Sequence, residues 1–283
     1  MIDSEDRVIK KPQLPSSPNI KLHETSLSRI MILLVFVSLL VITGFTLTHL
    51  DTANVRLNEA VKELSVTLHQ MFLQPNAGSD GLGELLQGLG TSLLISIMTT
   101  IIGAVFGFFF AVLASKNLTN IYLGTTIRVI MAVIRAIPTI IWAMIFSIVC
   151  GLGSTAAILG LSFHSIAYLT KAYSESIEGI DESTIESLKV TGSKFWVIVF
   201  QAIWPTIMAS FVSWTFIRLE INFANAIAVG AAAGAGGIGY QLFVASGMSF
   251  DFHEVGFIVY LIILVTFLLE FIAVKIRHFY LDR

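Results

Sequence analysis

Four polar side chains stand close together in an otherwise apolar run. Arg218, Glu220, Asn222 and Asn225 all fall between residues 206 and 228. Arg218, Asn222 and Asn225 recur at i, i+4 and i+7 and share one helical face. Their guanidinium and amide donors suit hydrogen bonds to an oxyanion. Glu220 sits two residues from both Arg218 and Asn222, about 200° around a helix from each, so it pairs with neither on one face. An ionisable group in hydrocarbon costs about 2.5–3.5 kcal/mol on insertion scales and asks for a reason. The spacing admits two: the face lines a translocation path or gate, or Arg218 holds a structural ion pair with another segment.

Gly234, Gly236 and Gly239 match the letters of a dinucleotide-binding fingerprint. That fingerprint works only after a strand in a βαβ unit, and here an apolar helical run precedes it. The run 231–239, which includes Gly237, has little side-chain bulk. It reads as a tight non-helical turn whose backbone amides face a cavity. Gly192-Ser193-Lys194 is not a phosphate-binding loop, because Ser187 stands where the upstream glycine belongs. No nucleophile–base pair or paired-carboxylate arrangement shows at readable spacing. His164 has no second metal ligand at i±4 and reads as a packing residue. Cys150 is the single cysteine, so an internal disulfide is excluded. The sequence therefore assigns this chain no catalytic residue, metal or cofactor.

The elements that position these residues follow from composition. The chain has 283 residues, 55% hydrophobic and 13% charged, with mean hydropathy +0.83. A soluble domain carries about 25% charged residues. A disordered chain, a nucleic-acid binder and an ordinary cytosolic enzyme are excluded, and the net charge of −2 offers no field for an anionic polymer.

Six stretches are long and apolar enough to cross a hydrocarbon core of about 30 Å. They run over residues 30–50, 89–115, 127–149, 154–173, 206–228 and 255–274. Lysine and arginine in the flanks place both termini in the cytoplasm. Residues 1–29 form a cytoplasmic tail, with no cleavage site of a signal peptide after the first span. Residues 51–88 form an extracytoplasmic segment. Within it Val61, Leu64, Leu68 and Phe72 make an amphipathic helix that rests on the membrane surface or packs on other spans. Residues 89–283 form the core. Arg135 and Pro138 mark a kink in the third span. Arg128 snorkels to the inner surface, and Glu270 in the sixth span pairs with Lys275 or Arg277.

The inner loop 171–205 carries Glu175, Glu178, Asp181, Glu182 and Glu186. Asp181 caps a short helix over 182–191, ended by Gly192. A second short helix covers 194–203 and stops at Pro205. Such a loop is either a solvated connector or a knob for a partner's groove.

Glu186, Gly192 and Pro205 fit the Glu-Ala-Ala…Gly…Pro loop of ABC importer permeases, with Ser187 and Leu188 in place of the alanines. Arg135-Ala-Ile-Pro138, His164, Lys171-Ala-Tyr-Ser-Glu175-Ser-Ile-Glu178, Arg218-Leu-Glu220-Ile-Asn222 and Gly234-Ala-Gly-Gly-Ile-Gly239 follow in order. From about Phe72 onward the chain resembles the permease subunit of phosphonate-type ABC importers. One departure is Ala224, where that family commonly has arginine.

The resemblance implies an all-α integral membrane protein with six transmembrane helices, like type I ABC importer permeases, and a cytoplasmic coupling helix. Glu182, Glu186, Gly192 and Lys194 then belong to the contact with an ATPase, and the glycine run is an outer loop closing the path. It implies a bacterial inner membrane, a second permease chain (identical or paralogous), two cytoplasmic ATPases and an extracytoplasmic solute-binding protein. ATP and Mg bind on the ATPase; nucleic acid has no place. The solute is phosphonate or a related phosphorus oxyanion, or another small solute such as phosphate, phosphite, an amino acid or a vitamin. An ion-coupled secondary transporter with Glu220 as proton site is the competing class.

Overall fold

The computed structural model describes residues 26–49, 56–78 and 81–281. The first 25 residues of the expected tail lie outside the described residues. Among the described residues every regular element is a helix. The chain divides into two units at Ala60. In the first unit, α1 (Ser26–His49) exposes all its described apolar side chains, as a single membrane span does.

The second unit holds most of α2 (Leu57–Leu73) and α3 (Gly81–Ala114), α4 (Ile121–Ala136), α5 (Thr139–Cys150), α6 (Ser154–Glu178), α7 (Glu182–Val190), α8 (Phe195–Ile198), α9 (Trp204–Ala232), α10 (Gly237–Gly247) and α11 (Phe252–Leu281). By length and composition α1, α3, the continuous segment Phe195–Ala232 and α11 can each cross a membrane, and α4 with α5 forms a bent pair. The six expected stretches fall on α1, α3, α4–α5, α6, α9 and α11. Of these, α6 carries His164, five serines and Lys171 and is the most polar. Helices α3, α4, α5 and α9 pack around it, so protein and not lipid is its solvent.

The α3–α6 seam is close because it is built on glycine. A Cβ at Gly103 would lie 2.7 Å from Ser165 Cβ, and one at Gly107 would lie 2.9 Å from Leu169 Cβ. Small residues one turn apart let two membrane helices approach to backbone contact.

Two sequence expectations about proline are corrected. At Pro138 the third span does not kink; it breaks, and α4 and α5 meet at 88°. Ile137 and Pro138 are extended, at ψ 124° and 139°, because a residue before proline is pushed out of the helical region. The indole Nε1 of Trp142 donates to the Ile134 carbonyl at 3.0 Å, which satisfies an acceptor the break leaves free. At Pro205 the helix expected to stop continues. A π-helical turn over Val199–Ile203 joins α8 to α9, and the Trp204 amide donates to the Val199 carbonyl. The wider turn accommodates the proline ring without ending the segment.

The amphipathic helix is present as α2. Val61, Leu64, Leu68 and Phe72 are all exposed. Its C-terminal end is held on α11: Tyr260 Oη donates to the Phe72 carbonyl at 2.8 Å, and the Asn76 amide donates to the His253 carbonyl at 3.2 Å.

Candidate functional site

The centre of the bundle contains a directed chain of hydrogen bonds. Arg218 Nε donates to Ser165 Oγ at 3.0 Å, and Ser165 Oγ donates to Asn222 Oδ1 at 3.0 Å. Asn222 Nδ2 donates to Thr100 Oγ1 at 2.9 Å, and Thr100 Oγ1 donates to the Ser96 carbonyl at 2.7 Å. Three helices contribute: α3, α6 and α9. Arg218 is 1% exposed and Asn222 is fully buried. A second guanidinium nitrogen, Nη2, donates to His164 Nδ1 at 3.1 Å, which requires the lone-pair tautomer at that nitrogen. The Arg218 Cζ stands 5.0 Å over the Tyr168 ring. A buried cation needs such neighbours, since desolvation without them costs several kcal/mol.

Arg218 pairs with no carboxylate among the described residues; its guanidinium is held by Ser165, His164 and the Tyr168 ring. Asn222 joins it as the i, i+4 spacing implies. Asn225 is half-buried and outside the chain. Glu220 is half-buried and takes no part in the Arg218 chain. The expected pairing of Glu270 with Lys275 or Arg277 does not form among the described residues. Helix α11 packs on α9. His164 is more than a packing residue, because it accepts from Arg218.

The glycine run sits at the far end of α9. Gly234, Gly236 and Gly237 have φ of 60°, 75° and 73°, so the turn after α9 is the left-handed one that glycine permits. The turn is shorter than expected. Gly237 already starts α10, an element that apolar periodicity does not separate from its neighbours. Gly239 lies inside α10, where a Cβ would overlap the Ile227 carbonyl of α9. The Ile238 amide donates to Ser92 Oγ at 3.1 Å, so that amide is committed to α3.

At the opposite end of α9 lies the loop with α7. Asp181 is its N-cap and accepts from the Ser183 amide at 2.9 Å, and these bonds hold the Asp181 carboxyl below its ordinary range. Gly192 ends it with φ 76°. Glu182, Glu186, Gly192 and Lys194 are all exposed. One side chain of α7, Ile185, is buried, in a cluster with Leu169, Tyr173 and Ile177 of α6 and with Ile198, Ile203 and Ile207. Lys189 Nζ donates to the Asn117 carbonyl at 3.2 Å, and Asn117 Nδ2 donates to the Ile177 carbonyl at 2.9 Å. The small helix is exposed outward and tied inward to α6, α9 and the α3–α4 connection.

Arg128 gains a partner at the α7 end of the bundle: its Nη2 lies 3.2 Å from Glu178 Oε1, which also accepts the Lys116 amide at 2.9 Å. Sequence reading missed Ser165 and Tyr168 as partners of Arg218 and Thr100 as a partner of Asn222. Serine and threonine abound in these helices, and one-dimensional spacing does not show which of them face each other across α3, α6 and α9.

Residues 103–283 match the family of binding-protein-dependent transport system inner membrane components. The phosphate-import permease protein PhnE of Mycolicibacterium smegmatis is 28% identical over 214 residues, 75% of this chain and 40% of that one. This chain thus spans well under half of that relative. The phosphite transport system permease protein PtxC of Stutzerimonas stutzeri is 30% identical over 191 residues, 66% of this chain and 68% of that one. In fold, the chain resembles the inward-facing MetNI methionine ABC transporter, with TM-score 0.66 and 20% identity over 72% of this chain and 99% of that one. The matched residues include the buried arginine and the capped loop, and the chain belongs to the family of binding-protein-dependent transport system inner membrane components.

Proposed function

We propose that this chain is the transmembrane subunit of an ATP-driven bacterial importer for phosphonate or a related phosphorus oxyanion. The observation that carries the reading is α7: exposed on its outer side, capped by Asp181, ended by Gly192, and anchored through Ile185 to the helices that hold Arg218. Relatives named for phosphate and phosphite import support the solute class.

In this reading two permease chains flank one path, and both termini lie in the cytoplasm. Two ATPase subunits, which hold ATP and Mg, receive α7 in a cleft formed around Glu182, Glu186, Gly192 and Lys194. An extracytoplasmic binding protein delivers solute at the glycine-turn end. Closure of the ATPases displaces α7. The Ile185 cluster and the Lys189–Asn117–Ile177 bonds pass that displacement to α6, α9 and the α3–α4 connection. Because α6 and α9 hold the Arg218 chain between them, their movement changes the exposure of the guanidinium. The path then alternates its access through a shift between two packings.

The solute class is tested on the binding protein that co-purifies with the complex. Phosphonates, phosphite, phosphate and amino acids are titrated in turn and its thermal unfolding is followed. A rise in Tm with a phosphorus oxyanion is the expected result; a rise with an amino acid alone overturns the solute class and leaves the importer.

A further inference from the structure

An open cleft of about 580 Å³ lies between α4 and α6. Its charged lining is Lys116, Arg128, Arg135, Lys171, Glu175 and Glu178. Four cations face two carboxylates, and both carboxylates are engaged: Glu178 with Arg128 and the Lys116 amide, Glu175 with Lys171 at 3.6 Å. Arg135 is paired with neither; its Nε reaches only the Met131 carbonyl at 3.4 Å.

Two further donors in the lining lack partners. Thr170 is 1% exposed, and its Oγ1 makes no hydrogen bond. Arg128 Nε is buried and also makes none. Buried polar groups are paired in about nine cases of ten, so two orphans in one cleft ask for a missing acceptor.

The cations are also in register. Arg128 and Arg135 stand seven residues apart on α4 and share one helix face, about 10.5 Å apart along the axis, and Lys171 lines the cleft from α6. Positive charge thus runs along the cleft toward the α7 end of the bundle.

We propose that the α4–α6 cleft is a binding site for a phosphorus oxyanion, taken by Arg135, Arg128 Nε and the Thr170 hydroxyl, between the buried arginine and the coupling end. This rests on the function proposed above and assigns a place within the chain to the solute. A phosphate group on a lipid offers the same acceptors, and the test separates the two sources.

The test uses the whole complex in nanodiscs, with Cys150→Ser and Ala132→Cys in the permease. Ala132 is an exposed residue of the lining. The thiol at position 132 is modified with an anionic methanethiosulfonate, with and without methylphosphonate, phosphite or orthophosphate. At nine-tenths occupancy the oxyanion slows modification about tenfold. Thr170→Val and Arg135→Gln each weaken that protection. Thr170→Val is the safer variant, since it removes a hydroxyl that bonds to nothing in the fold.

Protection that stays the same in phosphatidylcholine alone and with added phosphatidylglycerol supports a free anion. Reactivity that responds to phosphatidylglycerol and to no soluble oxyanion overturns the proposal in favour of a lipid. Absence of any protection overturns it outright. Uptake by the parent importer is measured alongside: oxyanion uptake without protection sinks only the cleft site, and protection without oxyanion uptake sinks only the functional reading.

Discussion

Ser165 Oγ stands 3.0 Å from Arg218 Nε and 3.0 Å from Asn222 Oδ1, accepting from the first and donating to the second. One hydroxyl on α6 therefore satisfies two buried groups on α9. Removing it strands both. Ser165→Ala is expected to cost about 1–3 kcal/mol for each unsatisfied group. Ser162, on the same helix, is 4% exposed with an unpartnered hydroxyl, so Ser162→Ala is expected to be neutral or slightly stabilising. Thermal unfolding of the two variants in detergent checks the contrast. Equal Tm values would remove the hydrogen-bond chain as a structural element.

Gly192 carries φ 76°, with no atom near its missing Cβ. Space is available and conformation is not. Gly192→Ala is expected to cost about 1–2 kcal/mol at the end of α7 through the left-handed backbone alone. Glu186→Lys reverses an exposed charge and leaves the fold intact. Both variants are expected to insert and assemble normally while the ratio of solute imported to ATP hydrolysed falls. Uptake and hydrolysis measured on the same proteoliposomes read that ratio. An unchanged ratio in both variants contradicts a coupling role for α7.

The cap of α7 is pH-dependent. The Ser183 bonds lower the Asp181 pKa below its ordinary value of 3.8. A depressed carboxylate pKa contributes stability that is fully present above about pH 4 and is lost as pH falls through the lowered folded value. Backbone amide exchange in the first turn of α7, corrected for intrinsic rate, is expected to speed up on acidification below that point. In Asp181→Asn that component should vanish. An acid response of the same size in the variant would show that the cap is not its source.

Glu220 is half-buried on α9 and lies outside the hydrogen-bond chain that holds Arg218. A residue with a packing role tolerates amide in place of acid. Glu220→Gln is therefore expected to retain ATP-driven uptake at near the parent rate. Complete loss of uptake, with assembly intact, would revive Glu220 as a proton carrier.

How much of this was legible in the sequence depends on the reach of each signal. The Asp181 cap and the Gly192 terminus are local, and residues 181–192 are enough to specify them. The six apolar stretches are likewise local. Arg218 and Asn222 were legible as a face but not as a network, because Ser165 and Thr100 lie 53 and 122 residues away from their partners. The prolines misled in opposite directions. Pro138 has an extended residue before it and breaks the span, while Pro205 follows a π turn that absorbs its ring. A π turn has no composition of its own, so spacing rules give no warning of it. Helix α10 was hidden by the glycines, which are read as breakers and here serve close packing against α9.

The central claim is that transport through this chain is driven by ATP on a partner. Proteoliposomes containing the permease, its ATPase and the binding protein should accumulate labelled phosphite or methylphosphonate only when ATP is present on the α7 side. Omission of any one component should abolish accumulation. Accumulation driven by an ion gradient alone, without ATP or the ATPase, would contradict the account.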